Sequence, residues 1–202
     1  MRLFHSPTTP YGRKVMMLLI ETGQDGDVEV VNVAGTPLDP GTQPLGLNPL
    51  GKIPALELDD GSALYDSRVI CRYLDDRAGA GLYPAGASVW RVLTLEATAD
   101  GILEAALLMV YEGRLRPEPL HFAPWVEGQW AKIARALDTL EARWIDHLAG
   151  PLDGGQIALA CALSYLDFRH DARGWRAGHP RLSAWHADMA SRPSMTVTEP
   201  RP

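Results

Sequence analysis

The feature that most limits the fold of this chain is a change of period on either side of residues 79–88, Gly-Ala-Gly-Leu-Tyr-Pro-Ala-Gly-Ala-Ser. Before this stretch, short strand-like runs alternate with helical ones. After it, only helical periods occur, and all six tryptophans (90, 125, 130, 144, 175 and 185) lie there. A Gly/Pro/Ala stretch between periodic segments is a linker. The pattern predicts an α/β domain over residues 1–78 and an all-α domain over residues 88–202.

In the first part, Arg2 to His5 is a short strand and Thr9-Pro10 opens a helix, with a hydroxyl at the N-cap and proline at the first helical position. Val15, Met16, Leu18 and Leu19 form its apolar stripe, and Gly23 can close it. Val28 to Val33 is a second strand, parallel to the first after a right-handed crossover. Residues 34–47 are rich in Gly, Pro and Thr and read as a loop with at most a short helix. Ala55 to Leu58, the turn Asp59-Asp60-Gly61 and Ala63 to Tyr65 make a hairpin, and a helix follows from Ser67 to about Ala78. The order is βαβ–ββα.

In the second part, Val92, Leu95, Ala99, Ile102, Leu103, Ala106 and Val110 recur at steps of three and four. So do Trp130, Ile133, Leu137, Leu140, Trp144 and Leu148, while Pro117 and Pro119 separate the two helices. Ile157 to Phe168 is almost wholly apolar, which predicts a central helix buried on all sides. Asp153 and Gln156 at its start form an altered capping box.

The densest chemistry lies in Asn48-Pro-Leu-Gly-Lys-Ile-Pro-Ala-Leu56 and in Asp66-Ser67. A cis Ile53–Pro54 bond ahead of a strand would leave the N–H and C=O of Ile53 outside the ladder, open to pairing with an extended peptide. The helix start at Asp66-Ser67 supplies unpaired N–H groups for a carboxylate. Together they predict a site for a small acidic peptide. Thr9 adds a hydroxyl at a helix N-terminus, where the dipole favours a negative charge, with Arg13 as a nearby cation.

Composition narrows the field. The formal charge is −6 and no basic run occurs, which speaks against nucleic acid as a partner. No apolar run reaches the roughly 18 residues of a membrane span. The N-terminus lacks the order of a signal peptide. The two cysteines, Cys71 and Cys161, sit in apolar helical patterns as small buried hydrophobes, in keeping with a reducing cytoplasm. His5 reads as a packed or edge histidine. Tyr11, Tyr111 and Trp125 line either a substrate cleft or the core.

Across essentially its whole length the chain resembles the cytosolic glutathione S-transferases, bacterial members in particular. The matching pieces are Ser6 to Val15, Asn48 to Leu56, Tyr65-Asp66-Ser67, Ala99-Asp100-Gly101, Ile157 to Arg169 and the tail from Arg192 to Pro200. The resemblance implies a thioredoxin-like N-terminal domain and an all-helical C-terminal domain. It implies glutathione as co-substrate, no metal, and transfer of the glutathione thiolate to small hydrophobic electrophiles, with glutathione peroxidase activity as a further chemistry. A non-catalytic glutathione-binding or scaffold protein is the alternative. Position by position, Thr9 would contact the glutathione sulfur, and Ile53, before Pro54, would pair its backbone with the cysteinyl part. Asp66 and Ser67 would hold the γ-glutamyl end and Lys52 would approach the glycyl carboxylate. Asp100 would reach across a homodimer. Members of this kind usually carry Ser or Cys where Thr9 stands.

Overall fold

The computed structural model describes residues 1–200. The chain divides into two units, residues 1–86 with the segment from Arg192 onward, and residues 87–191.

The first unit is built on a four-stranded sheet of order β2-β1-β3-β4. Its strands are β1 (Arg2–His5), β2 (Glu29–Asn32), β3 (Ala55–Glu57) and β4 (Ala63–Leu64). β1 runs parallel to β2, with Leu3 beside Val30, and antiparallel to β3, with Leu3 beside Leu56. Helix α1 (Pro10–Glu21) makes the crossover and α2 (Ser67–Ala78) follows the β3–β4 hairpin. Residues 34–54 contain no helix or strand. Leu3, Val15, Leu18, Leu19, Leu56, Ile70 and Leu74 are fully buried and form the core. α1 ends as its sequence dictates: Gly23 takes φ +66°, and the amide of Gln24 donates to the Leu19 carbonyl at 2.8 Å. The Ile53–Pro54 bond is cis, and so is Tyr65–Asp66.

The second unit holds α3 (Val89–Leu115), α4 (Ala123–Arg143), α5 (Ile145–Leu148), α6 (Gly154–His170) and α7 (Pro180–Ala190). Every residue from Gly154 to Leu163 is buried, so α6 is the central helix that its composition predicts. The Asp153 carboxylate caps it by accepting from the Gln156 amide at 2.9 Å. The capping box is only half made: the Gln156 side chain donates instead to the Pro151 carbonyl at 2.8 Å. α3 passes close to Gly155, since a Cβ there would stand 2.7 Å from the Val92 carbonyl oxygen. The sequence reading joins residues 130–148 into one helix, but the helix is interrupted at Trp144 (φ −112°, ψ −8°), which ends α4 and opens α5. The amides of Trp144 and Leu148 still donate four residues back, so the apolar phase survives the break.

The closing segment carries α8 (Pro193–Val197) and packs on α1. The sequence reading extends the second domain to residue 202, whereas this segment groups with the first unit. Arg192 holds the Glu21 carboxylate at 2.6 and 2.8 Å, and Arg13 donates to the Met195 carbonyl at 3.0 Å.

Candidate glutathione site

The site residues of the first unit lie on three segments: the start of α1, the loop leading into β3, and the start of α2.

Thr9 sits at the N-cap of α1 with extended backbone (φ −85°, ψ 123°) and Pro10 behind it. Its side chain makes no capping hydrogen bond. Its methyl lies over Gly12, 2.8 Å from where a Cβ on that glycine would stand. The hydroxyl is therefore not spent on the helix, and the dipole of α1 is left to favour an external negative charge. His5 packs into the same corner, its Nδ1 2.7 Å from the same point. That nitrogen is buried without a hydrogen-bond partner. Burial holds the imidazole pKa below its ordinary 6.5, so the ring is neutral at pH 7.

Arg13, expected as a cation beside Thr9, is engaged by the closing segment instead. Its guanidinium is buried and turned to the closing segment, donating to the Met195 carbonyl and to the Thr198 hydroxyl at 3.2 Å.

Ile53 lies between the Asn48–Lys52 loop and β3. Asn48 is buried and fixes that loop, donating from its amide to the Lys52 carbonyl at 2.8 Å and accepting from the Leu50 amide at 3.1 Å. Among the described residues nothing bonds the Ile53 N–H or C=O. Those groups stay free for an extended backbone alongside. The Lys52 side chain is exposed.

At the start of α2, Asp66 is the N-cap and accepts from the Arg68 amide at 3.0 Å. The Arg68 guanidinium closes on the same carboxylate, with its nearest nitrogen at 2.6 Å. Hydrogen bonding from Arg68, with help from the buried Lys14, holds the Asp66 carboxyl below the usual carboxylate range. Ser67 is buried at the first helical position, where its N–H has no intrahelical partner. Its hydroxyl takes no hydrogen bond among the described residues. A carboxylate set here meets an N–H, a hydroxyl and a guanidinium at once. The neighbouring Asp66 carboxylate suits an ammonium group. Arg68 is a cation at this helix opening that sequence reasoning did not single out. The signal was the adjacency Asp66-Ser67-Arg68 at a helix opening.

Asp100 lies on α3 in the second unit and is buried in the single chain, with 5% of its surface exposed.

Models of two protein families match the chain, the glutathione S-transferase N-terminal domain over residues 8–77 and the glutathione S-transferase C-terminal domain over residues 123–188. The chain belongs to the glutathione S-transferase family. A glutathione transferase family member from Pseudomonas fluorescens Pf-5, solved with bound glutathione, is 50% identical over 100% of this chain and 99% of its own, with a TM-score of 0.97. A second structure from that organism holds S-(propanoic acid)-glutathione and is 49% identical over 100% of both chains, with a TM-score of 0.92. The uncharacterized GST-like protein YibF of Escherichia coli K12 is 36% identical over 99% of this chain and 98% of its own.

Proposed function

We propose that this family member binds glutathione in the first unit and transfers its sulfur to small electrophiles. The observation that carries the reading is the opening of α2, where the Ser67 N–H and hydroxyl stand unpaired beside Arg68 and Asp66. One γ-glutamyl group, with an ammonium and a carboxylate on the same carbon, matches these complementary charges. The cysteinyl backbone pairs with Ile53, and Lys52 meets the glycyl carboxylate. The sulfur then comes to the Thr9 hydroxyl at the α1 N-terminus. The glutathione bound by the Pseudomonas relative supports this assignment.

The chemistry asked of the protein is modest. A cysteine thiol with a pKa of about 8.5 is only a few per cent ionised at pH 7, and lowering it by roughly two units makes the thiolate the majority form. The proton leaves to solvent. The thiolate lone pair forms a carbon–sulfur bond, while the electrophile's leaving group departs with its electron pair. Thr9 donates a hydrogen bond to the sulfur throughout and forms no covalent bond. The chain acts as a homodimer in the cytoplasm, with Asp100 near the partner's ligand.

Binding to immobilised glutathione, followed by a turnover assay with an activated aryl halide, tests the reading. Retention with turnover above the uncatalysed rate is the expected result. Retention without turnover leaves a glutathione-binding scaffold, and loss of both refutes the assignment.

A further inference from the structure

α1 opens without the reinforcement a helix start usually has. The first amides of a helix lack a partner four residues back, and Thr9 at the N-cap gives them no side-chain hydrogen bond. The first bond of the ladder runs from the Arg13 amide to the Thr9 carbonyl at 3.1 Å. The aliphatic stripe of α1 begins only at Val15. Ahead of it Pro10 and Gly12 are buried, but Gly12 has no side chain, and the place of one is filled by His5 and the Thr9 methyl. The one long side chain of the first turn that is buried is that of Arg13, with 6% of its surface exposed.

A buried guanidinium is costly unless its donors are met. The closing segment, which belongs to the same unit as α1, meets them. Arg13 Nη2 donates to the Met195 carbonyl at 3.0 Å, and Nε donates to the Thr198 hydroxyl at 3.2 Å. That hydroxyl donates in turn to the Ser194 carbonyl at 2.6 Å. The same segment holds the other end of α1, where the Glu21 carboxylate accepts from Arg192 at 2.6 and 2.8 Å and from the Ser194 hydroxyl. Residues 192 and 194 thus hold position 21, while residues 195 and 198 hold position 13, about 12 Å nearer the start of the helix at 1.5 Å per residue. The segment runs back along α1 toward Thr9.

We propose, resting on the function proposed above, that the closing segment is a splint for α1 in which Arg13 and Thr198 are positioning residues that aim the Thr9 hydroxyl at the glutathione sulfur. They act through the first turn of α1 and form no contact with the sulfur. The cap bond that Thr9 withholds is replaced by a long-range one, so its hydroxyl is released to the ligand while the helix start stays fixed. The aim matters because a hydrogen bond weakens steeply with distance and angle, and a misplacement of about 1 Å beside a reacting group costs up to about a hundredfold. His5, packed beside Thr9, is held neutral by burial and adds no charge to the corner at pH 7.

The test uses Thr198→Val, which removes a hydroxyl and changes no charge, beside Thr198→Ser and Glu21→Gln in the full chain. Circular dichroism checks folding. Amide exchange followed by NMR without ligand reads the splint itself. In Thr198→Val the Arg13 amide should exchange about tenfold faster, the size of one hydrogen bond to a charged group, while the Leu74 amide in α2 keeps its rate. The ultraviolet titration of bound glutathione should move up by about half a pH unit, a roughly threefold loss of thiolate below the midpoint. Glutathione affinity well below that midpoint should not change. Thr198→Ser keeps the hydroxyl and should match the parent in every reading. A merely structural role predicts that Glu21→Gln, which loosens the far end of the same segment, moves the titration as Thr198→Val does; the splint predicts lower stability with the titration in place. An Arg13 amide at the parent's rate in Thr198→Val, an unmoved titration there, or equal shifts in Thr198→Val and Glu21→Gln overturns the proposal. If the parent binds no glutathione, the transferase reading has failed and exchange decides the splint alone. Faster Arg13 exchange in Thr198→Val and not in Thr198→Ser then supports it, and equal rates overturn it.

Discussion

Thr9 can be tested more sharply than most N-cap residues, because its structural and chemical roles predict different outcomes. A Ser, Thr, Asn or Asp that caps a helix through its side chain is worth about 1 kcal/mol of stability. Thr9 makes no such bond. Thr9→Val keeps the branched shape and the methyl over Gly12 while removing only the hydroxyl. The unfolding free energy should therefore stay within about 0.5 kcal/mol of the parent, the range of substitutions that break nothing. The hydroxyl should matter only to the bound sulfur. A hydrogen bond to a charged group is worth about 1.5–3 kcal/mol, and one pKa unit corresponds to about 1.36 kcal/mol. Removing the bond should raise the titration midpoint of bound glutathione by about one to two pH units. Well below that midpoint the thiolate fraction, and with it the conjugation rate, falls by roughly tenfold to a hundredfold. Thr9→Ser keeps the donor, frees the rotamer and should match or exceed the parent. The ultraviolet absorbance of the bound thiolate against pH, measured for the three proteins beside their urea unfolding curves, separates the roles. An unshifted titration in the Val variant, or a loss of about 1 kcal/mol in stability with the titration unchanged, refutes the assignment of Thr9 to the sulfur.

Arg68→Gln should weaken glutathione binding by about tenfold or more. It should also move the acid edge of that binding upward, because Asp66 loses the donor that keeps its pKa low; calorimetry over a pH series checks both effects. Gly155→Ala should destabilise the chain despite a helix-propensity gain of about 1 kcal/mol, since the new Cβ would meet the Val92 backbone oxygen at 2.7 Å and overpacking costs about 1–3 kcal/mol; a urea midpoint at or above the parent's contradicts this. Glu21, held below its ordinary 4.5 chiefly by the Arg192 hydrogen bond, contributes stability that is complete above that value and is lost as pH falls through the lowered one. The stability gap between the parent and Glu21→Gln should thus shrink on acidification in that window, and a gap constant down to full protonation would disprove the linkage.

Local chemistry made much of the fold legible. Gly23 and Gly79, both at positive φ, stop α1 and α2 where turn chemistry predicts, and the unbroken apolar run of α6 could only be a buried centre. Two features, the course of the tail and the direction of Arg13, depend on where a segment goes after its own period ends. Nothing in the tail from Arg192 announces that it returns to α1, because its decisive contact, Arg192 on Glu21, spans 171 positions. The same return takes Arg13 away from the site. On sequence alone Arg13 is the cation one turn from Thr9, yet it is also the only arginine on α1, the helix against which the tail packs. Once the tail presents the Met195 carbonyl, a buried guanidinium gains more from that acceptor than from a half-open corner. The cation at the opening of α2 comes from a place that needs no long-range contact. Arg68 is two residues from Asp66 and is steered onto it by the turn that opens α2. A pair held within three consecutive residues needs no long-range contact to form, so the opening of α2 is set by local sequence, whereas the direction of Arg13 is set by a carbonyl 182 positions away.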